Sequence, residues 1–141
     1  MGFPHPVLPV LLFLAGAFHL FQVIFTSVFL KTVSSETNES VKGRVEIDLS
    51  GPVRRGLIVF VLGSGLLVMV NAKDIAQGGR LAASLCLLLA SVFAYRWHLQ
   101  FFRFQKFLRL GAPRWAHVFL ILGIGFTTFV YSYSAIVLFA Q

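Results

Sequence analysis

Acidic residues are scarce in this chain. Only five Asp and Glu occur in 141 residues, and none falls inside an apolar run. A proton pump or ion-coupled transporter relies on ionisable groups within its spans, so that class is disfavoured. Charge of both signs is thin. Charged residues make up 12% and hydrophobic residues 57%, whereas a soluble domain is about a quarter charged. Cysteine occurs once, as Cys86. An internal disulfide is therefore excluded, and no CxxC metal-binding spacing exists.

What is present is long stretches of apolar sequence. A helix needs roughly 20 residues to cross the hydrocarbon core. Four runs suit this, over about 7–30, 54–72, 80–100 and 115–140, with an extramembrane loop at 31–53. Pro9 stands in the first turn of the first run, where its missing N–H is harmless. Arg54 and Arg55 can snorkel from the shorter second run. The runs lack the alternation of barrel strands, and lipid requires backbone groups to pair within each segment. The leader has no basic region or clean cleavage site, and Pro6 breaks the myristoylation pattern, so the first run is read as a retained span. The expected fold is an all-α membrane protein, one domain of four transmembrane helices in a bundle.

The basic residues give the expected orientation. Lys31, Lys42, Arg44, Arg54 and Arg55 lie on the first loop, and Arg96, Arg103, Lys106, Arg109 and Arg114 lie around the third. Lys73 and Arg80 alone mark the other side. By the positive-inside rule, loops 31–53 and 101–114 face the cytoplasm and both termini face out, a plan that suits a bacterial inner membrane. These cations sit between apolar runs, so anionic phospholipid, not nucleic acid, is their expected partner. Within the first loop, Val45, Ile47 and Leu49 alternate with Arg44, Glu46 and Asp48 as in a short strand that stops at Gly51-Pro52. Asn38-Glu39-Ser40 forms a glycosylation sequon, which the charge bias would keep away from the lumen.

Polar residues inside the spans are the candidate site. Ala15, His19, Gln22 and Thr26 share one face of the first helix. Ser64, Thr127 and Thr128 lie at similar depth, so a polar layer at mid-membrane is expected. A neutral histidine bonded to another helix is the plain reading of His19, and cofactor binding is the sharper one. His98 and His117 near the basic-loop side extend that second reading to haem, which paired histidines can ligate. No metal site is otherwise expected. The third helix is expected to run unbroken from Arg80 to Leu110, roughly 45 Å, until Gly111 and Pro113 end it. There, Arg96, Trp97, Arg103, Lys106, Arg109 and Arg114 form a basic, aromatic segment suited to lipid headgroups or a partner surface. Trp115, Tyr131 and Tyr133 read as interfacial anchors. Small residues, with Cys86, Ala90 and Ala94 on one helix and Gly56 and Gly63 on another, suggest close helix contacts.

The size, four helices, long first loop and outward termini resemble the MAPEG family of glutathione-dependent membrane enzymes in plan. The segment SGPVRRGLIVFVLGSG has Arg54 and Arg55 but lacks that family's acidic and Asn partners, so no site residue carries over. Vitamin K epoxide reductase relatives are excluded because Cys86 has no second cysteine to form a redox pair. The leading expectation is a small accessory subunit docked to other integral membrane subunits. The alternative is a small membrane enzyme or carrier that binds a lipid, quinone or haem between helices. A standalone homo-oligomer is the third.

Overall fold

A computed structural model of the chain describes residues 6–36, 51–102, 105–108 and 114–140. Its elements are α1 (Leu8–Glu36), α2 (Gly51–Val70), α3 (Ala72–Ala76), α4 (Arg80–Phe102), α5 (Gln105–Leu108) and α6 (Arg114–Phe139). No strand occurs among the described residues. The expected strand at 44–49 and the sequon at Asn38 lie outside them.

Three of these helices are long and apolar enough to cross a membrane: Leu8–Ser27 of α1, all of α4 and all of α6. The chain therefore has the build of a multi-pass helical membrane protein. Arg55–Val70 of α2 is a shorter apolar helix, roughly 24 Å at the usual rise. Pro52 falls in the first turn of α2, where it costs no intrahelical hydrogen bond.

One boundary differs from the sequence expectation. Helix α1 continues past Leu30 to Glu36. From Ala17 to Lys42 the sequence has neither Pro nor Gly, so nothing in the chain stops the helix where the apolar run stops. The third long helix is described from Arg80 to Phe102 and again as helix at Gln105–Leu108; the rest of its expected course to Leu110 lies outside the described residues.

Each long helix buries one stripe with alternating spacings of three and four, the a/d seam of closely packed helices. On α1 the stripe is Leu8, Leu12, Ala15, His19 and Gln22. On α6 it is His117, Leu120, Ile124, Thr127, Tyr131, Ser134 and Leu138. On α4, Ala83, Cys86, Ala90 and Phe93 do the same, with Leu89 beside them. The opposite faces carry exposed large apolar residues, among them Phe13, Phe21, Leu87, Leu122, Phe129 and Ile136. Lipid is the natural cover for such faces.

The most extensive contact is between α4 and α6, followed by α1 with α2 and then α1 with α6. Helix α2 is thus held chiefly by α1, on the outside of the α1–α4–α6 group. Their crossing is made by two glycines. A Cβ on Gly16 would lie 2.7 Å from the Gly65 carbonyl oxygen, and one on Gly65 would lie 2.7 Å from His19 Cβ. Both are closer than real Cβ atoms approach, so the backbones touch because no side chain intervenes. Gly56 and Gly63, the pair suggested by the sequence, instead have open space at their Cβ positions. They lie on the other side of α2. Gly78 and Gly79 carry the chain from α3 into α4 with φ of 99° and 107°, a conformation that only glycine adopts without strain.

Candidate functional site

The polar face of α1 points into the protein. His19 is fully buried and meets all three other long helices. Its Nε2 lies 2.9 Å from the Tyr131 hydroxyl of α6. Its Nδ1 lies 3.2 Å from Ser64 Oγ of α2. Its ring stacks on Phe93 of α4, with centroids 4.4 Å apart. Ser64 Oγ also donates to the Val61 carbonyl at 3.1 Å. One tautomer satisfies every group: Tyr131 donates to Nε2, Nδ1–H donates to Ser64, and Ser64 donates to Val61. The imidazole is neutral in that arrangement, and both of its nitrogens are engaged.

Tyr131 was read from sequence as an interfacial anchor. It is instead completely buried. It lies eight residues before the end of α6, roughly 12 Å along the axis, and its phenol extends toward the middle of the bundle. The expected polar layer is only partly a shared network. Ser64 joins it, but Thr127 Oγ1 bonds the Gly123 and Ile124 carbonyls and Thr128 Oγ1 bonds the Ile124 carbonyl, all within α6.

One turn further along α1, the satisfaction ends. Gln22 is 2% exposed, and its Oε1 has no hydrogen-bond partner among the described residues. Arg96 of α4 donates from Nη2 to Thr26 Oγ1 at 3.3 Å, while its buried Nε has no partner among the described residues. A buried amide on α1 and, one turn beyond it at Thr26, the guanidinium of α4 thus keep polar atoms unmatched among the described residues.

A second polar pair closes the α4–α6 contact. Gln100 and His117 are both buried, and Gln100 Nε2 lies 3.0 Å from His117 Nδ1. Trp97 Nε1 donates to the Ile121 carbonyl at 3.0 Å, and its ring lies over Gly125. Trp97 is therefore clamped to α6, although part of it remains exposed. His98 is exposed, with its ring against Phe102. The three candidate histidines occupy three separate neighbourhoods, with Ser64 and Tyr131 beside His19, Phe102 beside His98 and Gln100 beside His117.

Of the basic segment, Arg96 is half-buried and Arg114 exposed, while the Arg103, Lys106 and Arg109 side chains lie outside the described residues. No group of three or more His, Cys, Asp or Glu that could hold a metal occurs among the described residues. Cys86 and Ala90 are buried as small packing residues, whereas Ala94 is exposed.

No family model, curated protein or solved structure matches this chain.

Proposed function

We propose that the chain is a small accessory subunit of a larger integral membrane complex. The observation that supports this is the outer face of α2. Helix α2 is held chiefly by α1, and Val59, Phe60, Leu66, Leu67 and Val70 are exposed on it. Gly56 and Gly63 stand on this outward side with open space at their Cβ positions. They are seven residues apart, so a helix from another subunit can approach there closely. The His19 contacts, which join four helices, suit a rigid body that docks as a unit. The charge bias favours a bacterial inner membrane with both termini outside, and the basic segment through Arg103, Lys106, Arg109 and Arg114 then rests on anionic headgroups or an acidic partner surface.

Gentle extraction from the native membrane followed by native mass spectrometry tests the reading. Co-purification with larger membrane subunits is expected. A stable monomer or homo-oligomer would reject it. One observation favours the second reading, a small enzyme or carrier with a ligand between helices: the unmatched polar atoms of Gln22 and Arg96.

A further inference from the structure

We infer that the α1–α4 seam at Arg96 is a binding site for the headgroup of one anionic glycerophospholipid. This narrows the lipid reading of the basic segment to a single site and does not depend on accessory-subunit status. Arg96 is a permanent cation inside a candidate span. No Asp or Glu occurs in any of the apolar runs, so its counter-charge must come from elsewhere. Glu36 is the nearest acidic residue along α1, ten residues beyond Thr26, or roughly 15 Å of helix. The Thr26 hydroxyl is neutral and takes one guanidinium donor. Nε–H is left without a partner among the described residues, and a buried donor of this kind is costly unless something accepts from it.

The form of the site fits a phosphate. The Nε–H and an Nη2–H of a guanidinium form one fork of parallel donors, which phosphate oxygens match in pairs. Gln22 lies one turn from Thr26 on the same face of α1. Its amide keeps its shape when oxygen and nitrogen exchange places, so it can present a donor to an anion in place of its unmatched oxygen. Depth selects a lipid as the source. Arg96 is six residues before Phe102, the last residue of α4, roughly 9 Å, and Thr26 is four residues before Leu30, where the apolar run of α1 gives way to Lys31, roughly 6 Å. The guanidinium therefore lies near the hydrocarbon edge, where headgroup phosphates reside. Trp97, one residue from Arg96, and Trp115, whose ring meets Phe25 of α1, are both partly exposed and suit that boundary.

The test uses the full chain in phosphatidylcholine nanodiscs doped with phosphatidylglycerol. Lipids retained on the released protein are counted by native mass spectrometry under stepwise activation. One phosphatidylglycerol should persist on the wild type. Arg96→Gln should lower its retention about tenfold, the loss of a charged hydrogen bond, while Arg114→Gln leaves it unchanged. Gln22→Leu removes an amide whose oxygen is unmatched among the described residues, so the fold should tolerate it, and it should lower retention about threefold, as for a neutral bond. Retention unchanged in either Arg96→Gln or Gln22→Leu would overturn the site. Equal loss in Arg114→Gln would reduce it to general surface charge. Displacement of the lipid by millimolar inorganic phosphate would assign the seam to a free anion and overturn the lipid assignment.

Discussion

Replacing His19 by Leu removes the contacts that join all four long helices while keeping an apolar side chain of similar bulk. Two interhelical hydrogen bonds disappear, to Tyr131 and to Ser64. Interhelical bonds in membranes average about 0.6 kcal/mol and reach about 1.7. The Tyr131 hydroxyl, in a residue with no exposed surface, is left without its acceptor, which adds a further penalty of order 1 kcal/mol. Stacking on Phe93 is also lost. Together these place the cost near 2 kcal/mol, or roughly thirtyfold in the folding equilibrium. Reversible unfolding in mixed micelles, titrated with a denaturing detergent, measures it. Tyr131→Phe and the double variant complete a cycle that isolates the His19–Tyr131 term, expected at about 0.6–1.7 kcal/mol. A single-variant cost under about 0.5 kcal/mol, or strict additivity in the cycle, would show that the four-helix junction does not stabilise the fold.

Further outcomes follow from the same packing. Gly65→Leu should separate α1 from α2 and destabilise the protein by more than about 2 kcal/mol, whereas Gly63→Ala should change stability by less than about 0.5 kcal/mol; thermal unfolding in detergent distinguishes them. Gly123→Ala should be destabilising by about 1–3 kcal/mol, because the new methyl runs into the Phe18 ring. Trp97→Phe should loosen the α4–α6 contact by roughly 1 kcal/mol through loss of the bond to the Ile121 carbonyl, read as faster hydrogen exchange along both helices. Cysteine pairs that join Gly63 to a co-purified subunit should cross-link under oxidation, and exclusive cross-linking between copies of this chain would point to a homo-oligomer.

Much of the fold was legible because lipid makes helices obligatory and apolar length marks them. The inward face of α1 was also legible, since His19 and Gln22 interrupt an apolar run at helical spacing. Their partners were not. Tyrosine near a span end suits an interface as well as a core, and sequence does not say which way the Tyr131 phenol reaches. The signal that could have placed it was the spacing of Leu120, Ile124, Thr127, Tyr131, Ser134 and Leu138, which puts Tyr131 in the middle of the buried stripe of α6. The glycine crossing within the chain was not legible for a related reason. Gly63 and Gly65 are two residues apart and so point to nearly opposite sides of α2. Only the partner helix decides which side is inside, and Gly16 decides for Gly65. The unmatched atoms of Arg96 and Gln22 depend on what the surrounding side chains fail to supply, and no spacing rule records that.

The His19 junction also has a timetable. Its partners arrive in chain order: Ser64 is 45 residues after His19, and Tyr131 is 112 residues after it. At ribosomal speeds of roughly 5–20 residues per second, these intervals are about 2–9 s and 6–22 s. A nascent α1 therefore enters the bilayer with an imidazole whose second nitrogen waits for α6. The glycine-lined pairing of α1 with α2 can form early and shelter that ring from lipid. Helix α6 then closes the junction by supplying the Tyr131 hydroxyl, so the junction is complete only once synthesis has passed residue 131. A ribosome stalled before residue 131 leaves a three-helix intermediate with an open polar contact at its centre, a feature that membrane quality control can recognise.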